Sequence, residues 1–230
     1  MNIESFGWLI HKRRLGETSL QLTLFTEQAG LIRATYRGGV KKMRGLEAFQ
    51  HVWLDATQRY QAIYIKKLEC LMVYHLSPAN LISALYLNEL IYYAFKPLEP
   101  FPATFKAYEQ TLKVLSQSNE QAKVEEALRQ FELILLKECG YGFSLTHEAF
   151  NEMPIKPDKY YQFVVGTGFV EIATGWPGNI LLALADNDFS CAKTLKSAKV
   201  ILRQAIDDLI DGRMLKSRQL WEAIHIHVKK

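Results

Sequence analysis

The segment Gly30–Gly45 reads Gly-Leu-Ile-Arg-Ala-Thr-Tyr-Arg-Gly-Gly-Val-Lys-Lys-Met-Arg-Gly, and it passes from a strand pattern into a glycine-hinged basic loop. Side chains of a strand alternate between its two faces. One face of this strand is expected to carry Leu31, Arg33, Thr35 and Arg37, and the other Ile32, Ala34 and Tyr36. The first face is therefore basic, and the second can be buried. Gly38-Gly39 then lets the chain turn with a positive φ or approach a ligand closely.

The basic loop adds Lys41, Lys42 and Arg44 to this strand. Residues 33–44 thus hold five cations in twelve positions without one acid, a composition suited to contacts with the phosphate backbone of a nucleic acid. The alternative is a solvated edge strand whose basic residues discourage aggregation. On this segment alone both interpretations stay open.

Charge is distributed unevenly along the 230 residues, although the net charge is only +4. Residues 1–67 carry 11 Lys and Arg against 5 Asp and Glu, a net charge of +6, and the remainder carries 17 against 19. This asymmetry indicates that the N-terminal part faces a polyanion.

Composition also limits the class of protein. The three cysteines are far apart and form no Cys-x-x-Cys pair, which argues against a structural zinc site and fits a reducing cytosol. The first residues lack the pattern of a signal peptide, and apolar runs end well before the ~20 residues that a membrane span needs. We expect a cytoplasmic protein that does not enter a membrane.

The fold is predicted to be α+β. Five short alternating segments lie in residues 1–76 without an intervening long helix, which favours a small five-stranded barrel of the oligonucleotide-binding (OB) type. Residues 77–230 are predicted to form a helical domain. Its first helix begins with the cap Ser77 and the following Pro78, and residues 141–190 interrupt the domain with an irregular insertion that contains a β-hairpin around Gly166-Thr167-Gly168.

No catalytic signature is present. The chain has neither a phosphate-binding P-loop nor the Gly-x-Ser-x-Gly elbow of a hydrolase, and a nuclease would need a carboxylate cluster or metal site that the sequence does not offer. We therefore expect a binding protein with no cofactor and no metal, rather than an enzyme.

Further basic residues stand at positions where two interpretations are open. Arg13-Arg14 lies at the first loop of the predicted barrel, a loop that OB folds use to hold nucleic-acid strands. The alternative is that these two residues form a charged turn. The cations of Gly212–Arg218 are expected to contact phosphate. The alternative is that they interact with the negative C-terminal end of the dipole of the preceding helix. Arg129 stands beside Leu128 and Phe131, where it could receive the carboxylate of an acidic-hydrophobic peptide, or it is a surface arginine.

Six short motifs, taken in order along nearly the whole chain, resemble the RecO family of bacterial DNA repair and recombination mediators. Each motif is weak alone, and their common order is specific. The matching segments are Glu17–Ser19 with Phe25-Thr26, Gly30 with Arg33, Arg37–Gly45, Asn88–Leu90, Leu128–Leu133 with Gly140–Gly142, and Gly212–Arg218.

The resemblance implies a DNA repair protein that binds single- and double-stranded DNA and anneals complementary strands. It implies action with RecR, binding of the acidic C-terminal tail of the single-stranded-DNA-binding protein (SSB), and, indirectly, loading of RecA. Many RecO proteins carry a zinc-binding insertion. Residues 141–190 occupy its position without a cysteine, so no metal is expected there.

The resemblance also assigns residues. DNA contacts are expected at Arg33, Arg37, Lys41, Lys42 and Arg44, with secondary contacts at Lys199, Arg203, Lys216 and Arg218. The position of Arg13 and Arg14 at the first barrel loop adds these two residues to the expected DNA contacts. The SSB-tail site is expected at Arg129, Leu128 and Phe131, and the protein is expected at the bacterial nucleoid. The alternative is an adaptor that does not bind DNA and uses the barrel and a helical groove to hold proteins.

Overall fold

A computed structural model describes residues 1–42 and 44–228. The chain divides into two compact units: unit 1 comprises Met1–Gln117 and the segment from Leu215 onward, and unit 2 comprises Ser118–Met214. The domain boundary predicted at residues 76 and 77 follows the change from strands to helices, and it stays a prediction.

Unit 1 contains a closed five-stranded barrel, which confirms the predicted OB-type architecture. The strands are β1 (Asn2–Leu15), β2 (Ser19–Thr26), β3 (Gly30–Tyr36), β4 (Gln50–Arg59) and β5 (Ala62–Val73). Their order around the barrel is β1-β2-β3-β5-β4, and a parallel pairing of Ala34 with Ile63 and Thr35 with Tyr64 joins β3 to β5.

Side chains at alternate positions of the strands fill the interior of the barrel. Leu20, Leu22 and Leu24 of β2 point inward, and so do Ile32, Ala34 and Tyr36 of β3, as their spacing predicts. Each fully buried leucine stabilises the fold by about 1.5–3 kcal/mol relative to an exposed one. A shift of one residue in the pairing of a strand would turn its inward-pointing side chains toward solvent. The burial of these side chains therefore fixes the strand register.

Three helices complete unit 1: α2 (Pro78–Ala94), α3 (Pro102–Gln117) and α7 (Lys216–Val228). Helix α2 begins as predicted, because Ser77 Oγ accepts a hydrogen bond from Asn80 N at 3.3 Å and Pro78 occupies the first turn. A single helical turn, α1 (Gly39–Lys42), lies in the segment that is predicted from the sequence to be a loop.

Aromatic rings bury one side of the barrel's outer surface. Phe25 of β2 lies 5.3 Å from the ring of Phe95 and 5.4 Å from that of Phe105, between centroids. Leu31, expected on the basic face, is only 1% exposed because the segment after α2 covers it, with Leu98 N donating to Leu31 O at 3.0 Å. The basic face therefore begins after Leu31.

Asn88 of α2 joins this helical cover to the barrel. Its Nδ2 donates to the carbonyl oxygen of Ile10 in β1 at 2.9 Å, and its Oδ1 accepts from Tyr108 Oη of α3 at 2.6 Å. Burial raises the pKa of Tyr108 well above its ordinary value, so the hydroxyl keeps the proton that it donates. One buried side chain thus orients two helices and a strand.

Glu89 holds the start of α7. Its carboxylate accepts hydrogen bonds from Lys216 N at 3.0 Å, Ser217 N at 2.9 Å and Ser217 Oγ at 2.5 Å. These contacts satisfy backbone donors that the first helical turn leaves open, and they place a negative charge at the positive end of the helix dipole. Two of the sequence motifs, Asn88–Leu90 and Gly212–Arg218, therefore meet at one helix cap.

Unit 2 combines helices with a small sheet. Its elements are α4 (Gln121–Glu138), β6 (Tyr160–Val164), β7 (Gly168–Ile172), β8 (Trp176–Pro177), α5 (Gly178–Ala185) and α6 (Ala192–Leu209). The sheet has the order β7-β6-β8, and β6 and β7 form the predicted hairpin. Helix α5 was not predicted, because its start at Pro177-Gly178 resembles a turn and its apolar run has no polar stripe.

A buried ion pair lies within α4. Arg129 Nη2 is 2.7 Å from Glu132 Oε1, and the two side chains are 7% and 0% exposed. A buried charge is tolerated only beside its partner, so each of these residues depends on the other.

We predict that Gly30→Ala severely destabilises unit 1. Gly30 has a φ of +62°, and an added Cβ would lie 1.8 Å from the carbonyl oxygen of Glu99, a backbone atom that cannot swing away. Gly16→Ala is the matched control, since Gly16 has a φ of +68° with no atom within 4 Å of the added Cβ.

Chemical denaturation measures both variants. Gly16→Ala should lose about 1 kcal/mol from backbone strain alone. Gly30→Ala should lose at least about 3 kcal/mol or fail to fold, because steric overlap adds to that strain. Equal losses in the two variants would contradict the close packing of Glu99 against Gly30.

A second prediction concerns the ion pair in unit 2. Arg129→Met removes the guanidinium that lies 2.7 Å from the buried carboxylate of Glu132, and it should lower the free energy of unfolding by about 3–5 kcal/mol. The double variant Arg129→Met/Glu132→Leu removes both charges and should recover most of that loss. A double variant as unstable as the single one would show that the pair is not coupled as its geometry indicates.

Candidate nucleic-acid interface

The outer surface of the barrel carries a polar row that crosses four strands. Strand register pairs Arg13 with Gln21, Gln21 with Thr35, and Thr35 with Tyr64. Cross-strand partners lie on the same side of a sheet. Because Leu20, Leu22 and Ile32 point into the barrel, this row points outward.

Two more arginines stand beside this row on β3 and just after it. The guanidinium of Arg33 lies 4.8 Å from the ring centre of Tyr92, and that of Arg37 lies 5.1 Å from the ring centre of Tyr64. Stacking on a ring orients a guanidinium while its N–H groups remain able to donate. We call this surface, formed by Arg13, Gln21, Arg33, Thr35, Arg37 and Tyr64, the basic face.

Its arginines are not neutralised by acids. Arg13 Nε donates to the neutral amide of Gln21 at 2.6 Å, and no carboxylate of the described residues lies within 4.0 Å of Arg13, Arg33 or Arg37. Elsewhere on the barrel lysines are paired, with separations of 2.6–3.2 Å between nitrogen and oxygen. Those pairs are Lys12 with Glu47, Lys66 with Asp55, and Lys67 with Glu69. The basic face therefore keeps its positive potential.

Lys41, Lys42 and Arg44, which we call the basic turn, follow β3 and are all exposed. Gly38 has a φ of +71°, so it supplies the left-handed turn expected of this glycine pair. Val40 N donates to Thr18 O at 3.1 Å, which ties the turn to the loop between β1 and β2. The structure thus joins the basic turn to one of the loops that OB folds use for binding.

The other predicted DNA contacts in unit 1 lie apart from this row. Arg14 is exposed, but it pairs with Leu20 and not with the polar row. Lys216 is exposed at the start of α7, and the guanidinium of Arg218 lies 5.7 Å from the ring centre of Tyr86. Lys216 and Arg218 thus belong to the first turn of α7 and not to the basic face.

Lys199 and Arg203 are exposed on α6, which belongs to unit 2. Lys199 Nζ lies 3.9 Å from Glu125 Oε1, a distance at which two exposed groups interact weakly. Both residues are thus available to a polyanion, on a different unit from the basic face.

The residues predicted for the SSB tail are buried in α4. Phe131 is 0% exposed, Leu128 is 8% exposed, and the guanidinium of Arg129 contacts Glu132. A peptide carboxylate would have to join or displace Glu132 to reach Arg129.

Sequence reasoning missed two neutral members of the basic face. Gln21 and Thr35 were not assigned a role, and the signal that could have found them is their shared outward position in adjacent strands. Among residues 1–42 and 44–228, no group of three His, Cys, Asp or Glu side chains is arranged to hold a metal ion. In that same part of the chain, no helix combines the length and apolar character that crossing a bilayer requires.

Comparison with known proteins places the chain in a family. The family model described as Recombination protein O N terminal matches residues 1–72, and that described as Recombination protein O C terminal matches residues 75–176. A protein of Legionella pneumophila (strain Corby) named DNA repair protein RecO is 44% identical over 219 residues, covering 94% of this chain and 96% of its own length.

More distant relatives bear the same name. DNA repair protein RecO of Tolumonas auensis is 32% identical over 227 residues, which cover 94% of each chain. DNA repair protein RecO of Methylococcus capsulatus is 33% identical over 225 residues, covering 94% of this chain and 92% of its own length. With a closed five-stranded barrel, an unpaired basic face and these matches along nearly its whole length, this chain belongs to the RecO family of DNA repair proteins.

Proposed function

We propose that this protein binds single- and double-stranded DNA, anneals complementary strands and, with RecR, mediates the loading of RecA onto SSB-coated single strands during recombinational repair. It does so as a binding protein without a catalytic step. Membership of the RecO family supports a role in DNA repair. The DNA surface proposed for it is the basic face with the basic turn.

One observation carries the proposal: six cations of the barrel surface have no carboxylate near them among the described residues, while neighbouring lysines do. Clustered like charges repel one another, so a protein gains nothing for its own stability by leaving them unpaired. The phosphate backbone of DNA supplies the missing negative charge and releases counterions on binding. The six are Arg13, Arg33, Arg37, Lys41, Lys42 and Arg44.

The arrangement explains how annealing would proceed. Cations that neutralise two backbones reduce the repulsion between the strands, so their bases can search for register. Contacts to phosphate carry no sequence information, so binding should show little sequence preference. Gln21 and Thr35 add neutral donors to this surface, and Tyr64 adds a ring on which a base can stack.

The proposed partners follow the family. RecR and the RecA filament belong to the loading step, which we place in the bacterial cytoplasm at the nucleoid. The SSB tail is proposed to bind at Arg129, next to Leu128 and Phe131. Attraction between a guanidinium and a terminal carboxylate favours such a site, and Glu132 competes for the same guanidinium.

We predict that Arg33→Ala/Arg37→Ala/Lys41→Ala/Lys42→Ala weakens binding to a single-stranded oligonucleotide. Loss of four phosphate contacts should reduce the slope of log K against log salt concentration by about 3. Fluorescence anisotropy at several salt concentrations measures both quantities.

The control Lys66→Ala/Lys67→Ala/Lys106→Ala/Lys113→Ala removes the same charge from exposed sites of unit 1 outside the basic face and the basic turn. It should keep most of the affinity, and both variants should retain the circular dichroism spectrum of the wild type. Equal losses in the two variants would show that only net charge matters. A wild type that binds no DNA at any salt concentration would favour the protein-adaptor alternative.

The tail site gives a separate prediction. Arg129→Met/Glu132→Leu lacks the guanidinium but leaves no buried charge, so it should remain folded. We expect it to lose binding of an acidic-hydrophobic tail peptide by about tenfold or more, since charge-assisted pairs contribute about 1.5–3 kcal/mol. Calorimetric titration of the peptide tests this, and binding as tight as that of the wild type would place the tail elsewhere.

A further inference from the structure

The sequence motif Gly140–Gly142 borders a pocket in unit 2 that the proposed DNA contacts do not use. The pocket encloses about 180 Å³ between the chain that follows α4, the turn of the β6–β7 hairpin and the last turn of α6. We call it the hairpin pocket. Its walls are Gly140–Phe143 after α4, Phe163, Gly166 and Thr167 of the hairpin, and Ala205 and Asp208 of α6.

The motif shapes the first wall by ending α4 sharply. Gly140 has a φ of +81°, and its N donates to Lys137 O at 3.2 Å. Tyr141 N donates to Leu136 O at 2.8 Å, which completes the pattern of a Schellman cap. Gly142 then lies so close to the helix that an added Cβ would be 3.2 Å from the Cα of Lys137. The chain therefore folds back against α4, with Tyr141 lining the pocket.

The hairpin pocket is negative. Asp208 is exposed on its α6 wall, and among the described residues no lysine or arginine nitrogen lies within 4.0 Å of its carboxylate. The last turn of α6 holds no basic residue, and Lys137 of the last turn of α4 does not line the pocket. Both helices end beside the pocket, where their dipoles concentrate negative charge. The pocket therefore attracts a cation and repels a phosphate.

The acid on this wall conflicts with the stability of its own helix. A carboxylate in the last turn faces the negative end of the dipole, where a cation would be favoured. Asp208 occupies such a position, and none of the described cations compensates it. Conflicts of this kind are typical of functional sites.

Aromatic rings complete the walls of the hairpin pocket. The ring centroids of Phe143 and Phe163 lie 4.6 Å apart, and Tyr141 is 39% exposed. The face of such a ring attracts a cation that stands over it. A guanidinium combines both kinds of contact, because its flat surface stacks on a ring while its N–H groups donate in pairs to a carboxylate. An ammonium is a point charge and is more strongly hydrated, so the walls favour arginine over lysine.

The size of the hairpin pocket suits one side chain. Sites for small molecules and cofactors typically enclose about 300–1,000 Å³. With about 180 Å³, this pocket is too small for a nucleotide. No arginine or lysine of the described residues lines it, so the cation has to come from another molecule.

From these observations we infer that the hairpin pocket receives an arginine side chain of a partner protein. The guanidinium pairs with the carboxylate of Asp208 and stacks on the ring of Tyr141. The pocket is a protein-docking site of opposite charge to the basic face, so it does not compete for DNA. It also gives the Gly140–Gly142 motif a role that the proposed DNA binding does not supply.

The test titrates acetyl-arginine amide into the isotope-labelled full chain and follows the backbone amide resonances by NMR. The resonances of Gly140, Gly142 and Gly166 should shift. Acetyl-citrulline amide, which has nearly the same shape and no charge, should leave them unchanged. Asp208→Asn should weaken binding of the arginine probe by about tenfold, since it removes a charge-assisted pair. Tyr141→Leu should weaken it by about twofold to fivefold through loss of the ring.

Asp211→Asn is the matched control. Asp211 is exposed at the same end of α6 and does not line the pocket, and asparagine tolerates its φ of +54°. This variant should bind the arginine probe as the wild type does. Equal losses in Asp208→Asn and Asp211→Asn would show that only the charge of the helix end matters, and the inference would be wrong.

Two further outcomes would overturn the inference. One is a wild type whose three glycine resonances do not move even at millimolar concentrations of the arginine probe. The other is a shift of these resonances with guanosine and not with the arginine probe, because the pocket then takes a nucleobase. The assay contains no DNA, so a wild type that fails to bind oligonucleotides would refute the proposed function and leave this inference standing.

Discussion

The hydrogen bonds of Asn88 are the constraint on which the rest of unit 1 depends. A buried amide must be satisfied, and this one finds its partners only when β1, α2 and α3 stand in one arrangement: the carbonyl of Ile10 on one side and the hydroxyl of Tyr108 on the other. An apolar residue here would let α2 slide over the barrel surface. The amide therefore selects which part of the barrel the helices cover.

The position of the helices divides the outer surface of the barrel into a covered part and an exposed part. Phe25 and Leu31 lie under the helices and the segment that follows α2, and they are fully or almost fully buried. Arg33 of β3 and Arg37 just after it are exposed, and the guanidinium of Arg33 lies over the ring of Tyr92 in α2. The same alternating strand thus supplies both the packing against helices and the basic face, and the position of the cover decides where one ends and the other begins.

Local pattern was enough to predict much of this fold. The five strands, the Ser77-Pro78 helix start, the hairpin around Gly166–Gly168 and the burial of Tyr36 all follow from periodicity and turn chemistry within short segments. The features that were missed depend on partners distant in the sequence. Leu31 is buried by a segment more than sixty residues away, and Glu89 caps a helix that begins at Lys216.

The candidate site, too, could be predicted from the sequence only in part. The sequence identified the cations, since charge is visible in any segment, but it could not show that they lack acidic neighbours, because that requires the strand register. It also placed Arg129 beside apolar residues without revealing Glu132 as its partner, although the spacing of three residues on a helix is a local signal that could have been used.

The cap formed by Glu89 also has a consequence for biosynthesis. Helix α7 packs on α2, yet the ribosome makes it only after the whole of Ser118–Met214. At typical rates of translation that delay is about 5–20 s. During this time the surface of α2 around Tyr86 and Glu89 has no cover from α7, so the emerging chain exposes that surface until its last helix arrives.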